Sequence, residues 1–115
     1  MIERIAGTCA GRSTSTAYKD LVFTVATATD ESMDIVGQTA QALAMLDRSL
    51  GELGSDKQKI LSAQVFLAKI ADKPVMDQVW LNWIGSDSER WPQRACLGVE
   101  LEENYLIEIT VVAVR

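Results

Sequence analysis

The C-terminal part of the chain alternates in polarity with the two-residue period of a β-strand. Successive side chains of a strand point to opposite faces of a sheet, so this stretch has two distinct faces. One face is uniformly apolar, and the other carries a carboxylate and a hydroxyl among apolar residues. The first comprises Tyr105, Ile107, Ile109, Val111 and Ala113, and the second Leu106, Glu108, Thr110 and Val112. The pattern predicts a strand with one face in the core.

The preceding segment, residues 91–100, also has the character of a strand. The polar residues 102–104 separate it from the last strand, and we predict an antiparallel hairpin about this turn. In that register Gly98 lies opposite Glu108.

Three further strands are predicted in the first two thirds of the chain. Residues 21–26 and 60–68 are rich in β-branched and other apolar residues, which favour buried strands. Residues 2–5 are predicted to form a shorter strand. The small and polar residues 7–16 fit a loop or an edge strand equally well.

A long helix is predicted between the strands at 21–26 and 60–68. It begins at Asp30 or Ser32, which are residue types that cap helices, and it ends at Gly54. Its apolar stripe recurs every three or four positions, as expected for a helix that packs on a sheet. The stripe comprises Ile35, Thr39, Leu43, Leu46, Leu50 and Leu53.

A second helix is predicted from residues 72–74 to about Ile84, because Pro74 is tolerated in a first helical turn. Trp80 and Trp83 lie three residues apart on this helix. Large aromatic side chains dominate core burial, so both are expected in the core.

The order of elements predicts an α+β fold in a single domain, residues 1–115. One mixed sheet carries both helices on one face. Its other face has no helix to cover it, and apolar residues on such a face favour oligomerisation.

Composition excludes several classes of function. The 115 residues carry a net charge of −5, which argues against nucleic-acid binding. The chain has no histidine, so Ser-His and Cys-His catalysis and the commonest zinc ligand are absent. No run of about 20 apolar residues predicts a membrane span. The N-terminus has no signal-peptide pattern, and Cys9 and Cys96 are expected to be free thiols in the cytoplasm.

The predicted hairpin places Arg94, Cys96 and Glu108 on one face, beside Gly98, as a small anion-binding pocket. A guanidinium holds a carboxylate through two parallel hydrogen bonds. A carboxylate such as Glu108 can orient or deprotonate an attacking water. Alternatively, Arg94 forms a structural salt bridge with Glu108 or with another subunit, and Glu108 is an interface charge. Cys96 is not expected to be a nucleophile, because no histidine activates it.

The same residues carry a family resemblance. Pro92, the Arg94-x-Cys96 motif and the run Ile107-Glu108-Ile109 resemble the signature of the RidA (YjgF) family of enamine and imine deaminases. The resemblance implies a chorismate-mutase-like fold and a homotrimer with active sites in the clefts between subunits. It also implies that Arg94 anchors the substrate carboxylate, that Glu108 positions the water, and that the backbone at Cys96 contacts the ligand.

The chain departs from the family in the remaining pocket positions. Val25-Ala26-Thr27 replaces a Ser-Gly-Gln-like segment, and the Ala26 methyl is expected to narrow the cleft. The place of a tyrosine that closes over the substrate falls near Arg12 or Ser13. A usual asparagine on the second helix corresponds to Asp77, which is expected to repel an anionic substrate unless Arg12 offsets its charge. Trp91 is a candidate wall of the cleft.

Two functional hypotheses follow. The first is a deaminase that hydrolyses 2-imino acids to 2-keto acids and ammonia without a metal or cofactor. The second is a non-catalytic trimeric binding module for a small carboxylate, which the changed segment at Ala26 favours. Chorismate mutase activity would rest on fold analogy alone, and too few cationic groups are present for its dianionic substrate.

Overall fold

The computed structural model describes residues 1–115 and contains six strands and two helices. The strands are β1 (Glu3–Ala6), β2 (Ser13–Tyr18), β3 (Leu21–Thr27), β4 (Ile60–Leu67), β5 (Gln93–Gly98) and β6 (Ile107–Val114). The helices are α1 (Ile35–Glu52) and α2 (Lys73–Ile84). Every predicted helix and strand is present, and the ambiguous residues before Tyr18 form β2.

The six strands make one mixed sheet in the order β1-β2-β3-β6-β4-β5. Neighbours are antiparallel except for β4 and β5, which are parallel and joined by a crossover through α2. Both helices pack on the same face of the sheet, and the other face is open. The predicted α+β architecture is thereby confirmed.

The predicted hairpin between β5 and β6 is wrong. β6 lies between β3 and β4, and β5 pairs with β4 instead, so Gly98 is level with Leu67 and not with Glu108. The physical reason is the crossover: a strand that follows a helix returns parallel to the strand before the helix. The connection over residues 99–106 is also longer than a tight hairpin turn.

This pairing separates the residues that the hairpin would have brought together. Arg94 is level with Ala63, and Cys96 with Val65, whose side chains are buried under the helices. Glu108 is one of the alternating β6 residues whose side chains point away from the helices, to the open face. The prediction that Arg94, Cys96 and Glu108 share one face is therefore wrong, although the alternation within β6 is as predicted.

The helix α1 covers the centre of the sheet with the predicted apolar stripe. Leu43, Leu46 and Leu50 are fully buried in the core with strands β3, β4 and β6. The N-cap is Asp34, whose side chain accepts the Gly37 N–H at 2.9 Å, and not Asp30 or Ser32. Neither α1 nor α2 has the length and apolarity needed to cross a membrane.

Candidate functional site

Arg94 lies on the edge strand β5, beneath the helix α2. Its guanidinium carbon is 5.1 Å from the centre of the Trp80 ring, close enough for a cation–π contact. Its Nη1 atom lies 3.9 Å from the sulfur of Met76. Only 19% of the Arg94 side chain is exposed. The guanidinium is therefore held in a fixed, partly apolar setting at the rim of the fold.

Asp77 supplies the countercharge for Arg94. Its Oδ1 accepts a hydrogen bond from Arg94 Nη2 at 2.6 Å, and its Oδ2 accepts one from Lys73 Nζ at 2.9 Å. Burial alone would raise the pKa of Asp77, but the hydrogen bonds from Lys73 and Arg94 lower it below its usual value. The carboxylate is ionised at neutral pH and bridges the two cations.

Arg94 is thus ion-paired, but not with a partner that was expected from the sequence. The structural alternative named Glu108 or another subunit as the partner, whereas the partner is Asp77 on α2. Residues at i, i+4 and i+7 share a helix face, which is why Asp77 and Trp80 contact Arg94 while Lys73 contacts Asp77. Trp80 was expected only in the core. The helical spacing from Lys73 to Trp80 was the available signal.

Cys96 faces the same side of the sheet as Arg94 and packs against the core. Burial raises the pKa of the Cys96 thiol, and the charges of Arg94 and Lys73 offset this only in part. The thiol is therefore protonated at neutral pH, and a protonated thiol is a weak nucleophile.

We expect the two cysteines to differ strongly in reactivity. Both are free, and Cys9 is exposed while Cys96 is partly buried. Iodoacetamide at pH 7.5 is expected to label Cys9 at least about tenfold faster than Cys96, because alkylation needs an accessible thiolate. Mass spectrometry of tryptic peptides gives both rates, with Cys9→Ser as the control. Labelling of Cys96 at the rate of Cys9 would contradict this assignment.

Glu108 lies near the start of β6 on the open face of the sheet. Its direct neighbours across the strands are Thr27 on β3 and Phe66 on β4. The side chain is half-buried and makes no ion pair. Arg94 is two strands away and three residues further along, so the two Cα atoms are about 14 Å apart. Arg94 and Glu108 therefore lie on opposite faces of the sheet within one chain.

A buried glutamine fixes the loop that leads into Glu108. Gln38 on α1 is fully buried, and its Oε1 accepts the Leu106 N–H at 2.9 Å. Its Nε2 is 3.1 Å from the Asn104 carbonyl oxygen, which ties the same loop to α1. Gln38 was not among the residues predicted from the sequence. The signal was an amide three positions after Ile35, on the apolar stripe of the helix.

The remaining predicted site residues fall in different places. Arg12 is exposed in the turn before β2, at the end of the sheet where Glu108 lies, and makes no ion pair. Ala26 is buried in the core opposite Ile109, so the prediction that its methyl narrows a cleft is wrong for this chain. Trp91 is exposed before β5, and its Nε1 donates to the Gly85 carbonyl at 2.8 Å.

The open face of the sheet combines apolar and hydroxyl-bearing side chains. Phe23 and Leu21 on β3 are each about 40% exposed. A shallow concavity of about 470 Å³ crosses β2, β3, β4 and β6, with Thr16, Gln64 and Thr110 among its walls. Elsewhere on the molecule, no three or more cysteine, aspartate or glutamate side chains are grouped as metal ligands would be.

Comparisons with known proteins identify the family. The family model described as Endoribonuclease L-PSP matches residues 13–115. The chain belongs to the RidA (YjgF) family. RutC family proteins are among its relatives: that of Haemophilus ducreyi is 37% identical over 86 residues, covering 74% of this chain and 72% of the relative. The Escherichia coli RutC family protein YoaB is 37% identical over 82 residues, covering 70% and 69%.

Solved structures share the fold over the whole chain. A YjgF-family protein from Neisseria meningitidis superimposes with a TM-score of 0.91 at 31% identity, over 100% of this chain and 95% of the other. An uncharacterised protein from Pseudomonas aeruginosa gives the same TM-score at 35% identity, over 100% and 99%. The predicted family and fold are confirmed together.

Proposed function

We propose that this RidA-family protein hydrolyses reactive 2-imino acids, and their enamine precursors, to 2-keto acids and ammonia. The observation that carries the proposal is the environment of Arg94. A guanidinium has five N–H donors, and here one binds Asp77 and a second faces only the Met76 sulfur. The others have no partner in the chain. They are available to a substrate carboxylate at the edge of the sheet.

The complete site is proposed to form between two copies of the chain. Arg94 and Glu108 lie on opposite faces of one sheet, so no small ligand reaches both within one subunit. The exposed Phe23 and Leu21 on the open face favour packing against another copy. In the proposed homotrimer, the open face of each subunit packs beside the β5 edge of its neighbour. One subunit then supplies Arg94 and Cys96, and the other supplies Glu108, with Arg12 close by.

The proposed chemistry needs only orientation and charge. Arg94 fixes the carboxylate, and Glu108 accepts a hydrogen bond from a water beside the imine carbon. The water oxygen bonds to that carbon while one water proton passes to Glu108 and from there to the imine nitrogen, giving a carbinolamine. The C–N bond then breaks as the nitrogen takes up the hydroxyl proton, so ammonia leaves and the keto group forms. Imines of this kind already react with water unaided, so a modest acceleration suffices.

The name of the family model refers to an endoribonuclease, and the composition does not favour that activity here. The chain has no histidine, and its net charge of −5 opposes binding of a phosphate backbone. The free thiols Cys9 and Cys96 are in keeping with a cytoplasmic protein.

A non-catalytic binding module for a small carboxylate is the second candidate. The contact that favours it is the ion pair of Arg94 with Asp77, which lowers the net positive charge offered to a ligand. Both functions predict that a keto acid such as pyruvate stabilises the protein against heating. Only the first predicts turnover.

Imine disappearance decides between the two functions. An amino-acid oxidase generates 2-imino acids from several amino acids, and semicarbazide traps the remaining imine as a chromophore. The proposal predicts less semicarbazone at equal oxidase activity when the protein is present. Unchanged semicarbazone for every amino acid, with pyruvate still stabilising the protein, would leave only the binding module.

A further inference from the structure

Asp77 presents a carboxylate to the guanidinium that is proposed to hold the substrate. We propose that Asp77 is an internal competitor for Arg94, and that Lys73, Asp77 and Arg94 together select monocarboxylates with uncharged side chains over dicarboxylates. The inference rests on the proposed role of Arg94 as the carboxylate anchor. It assigns to α2 a part in specificity.

The geometry of the three residues allows this competition. Each oxygen of Asp77 serves a different cation, with Arg94 Nη2 at 2.6 Å and Lys73 Nζ at 2.9 Å. The Lys73 side chain is 43% exposed and that of Arg94 is 19% exposed. A ligand carboxylate that draws Arg94 away leaves Asp77 paired with Lys73. The aspartate is therefore never left without a countercharge.

The charge of the trio explains the selectivity. Two cations and one carboxylate leave a net charge of +1, and one ligand carboxylate neutralises it. A second ligand carboxylate near Asp77 meets a like charge in a partly buried setting, which disfavours it. Met76 and Trp80, which pack against the Arg94 guanidinium, are buried and carry no charge. The charge offered to a ligand is therefore that of Lys73, Asp77 and Arg94 alone.

Opposite changes of charge are expected to shift affinity in opposite directions. Asp77→Asn raises the net charge to +2 and is expected to tighten pyruvate binding about tenfold, and 2-oxoglutarate binding by more. Lys73→Gln lowers the net charge to zero and frees Asp77 to hold Arg94, so both ligands are expected to bind more weakly. The double variant Lys73→Gln/Asp77→Asn restores the net charge of +1. It is expected to bind pyruvate with an affinity within about threefold of wild type.

The measurement is isothermal titration calorimetry of pyruvate and 2-oxoglutarate on the four proteins, at about 20 mM and again at about 500 mM salt, where charge effects shrink. Pyruvate binding to Asp77→Asn that equals or falls below wild type would overturn the inference and make Asp77 a purely orienting residue. An unchanged preference for pyruvate over 2-oxoglutarate in that variant would overturn the selectivity.

Kinetics separate this inference from the proposed function. In the imine assay, Asp77→Asn is expected to lower KM while kcat stays within about twofold, since only binding of the carboxylate is strengthened. A merely structural role would lower the melting temperature and kcat instead. If Arg94→Ala loses turnover but Asp77→Asn leaves KM unchanged, only the inference fails. If neither wild type nor any of the variants turns over imines, but the affinities for the keto acids shift as expected, only the proposed function fails.

Discussion

Arg94→Ala is expected to lower kcat/KM for 2-imino acids about a thousandfold. Removing one partner of a partly buried, charge-assisted contact costs about 4 kcal/mol, which corresponds to that factor. The fold is expected to survive, because Asp77 keeps its pair with Lys73. The assay is the oxidase-coupled imine trap, with thermal denaturation as the check on folding.

Two matched variants make the Arg94 result specific. Arg94→Lys keeps the charge but loses the paired N–H donors, so an intermediate loss is expected. Arg48→Ala removes an exposed arginine from α1 and is expected to change nothing. Retention of wild-type kcat/KM by a folded Arg94→Ala protein would rule out the carboxylate anchor.

Glu108→Gln is expected to lower kcat by about a hundredfold or more, the usual contribution of a general base, while pyruvate binding stays within about twofold. Glutamine keeps the shape of the side chain on the open face but cannot accept a proton from water. The affinity should persist because Arg94 belongs to the other half of the proposed site. Stopped-time imine trapping gives kcat, and calorimetry gives the affinity.

Glu52→Gln, at the exposed end of α1, is the control for loss of a carboxylate and is expected to behave as wild type. If Glu108→Gln kept full kcat, Glu108 would be only an interface residue. If it lost pyruvate binding as well, its role would be in holding the ligand and not in placing water.

Local patterns predicted the elements well and their pairing less well. The apolar stripe of α1 and the alternation in β6 predict directly which side chains are buried. Each pattern depends only on the residue period of a helix or a strand. The partner of β5 depends on the whole chain. The segment 91–100 has no local feature that distinguishes a hairpin with β6 from a parallel pair with β4 after a crossover.

The candidate site was also predicted only in part, because its residues are brought together by tertiary packing. The motif around Arg94 and Cys96 and the position of Glu108 were visible in the sequence, but their faces were assigned through the wrong hairpin. The contact between Asp77 and Arg94 depends on how α2 packs against β5, and no local sequence pattern encodes that packing. Asp77 was singled out only through the family resemblance, and its effect was expected to be repulsion of the ligand. Its direct hold on Arg94 is a property of tertiary packing.

Subunit mixing tests the shared site most directly. Arg94→Ala and Glu108→Gln chains, each inactive alone, are coexpressed with different tags in equal amounts, and native mass spectrometry verifies the mixed assemblies. If each site takes Arg94 from one copy and Glu108 from its neighbour, random trimers regain about a quarter of the wild-type activity per site. If the mixed assemblies are no more active than the two variants alone, the two residues do not act across subunits, and the account is contradicted.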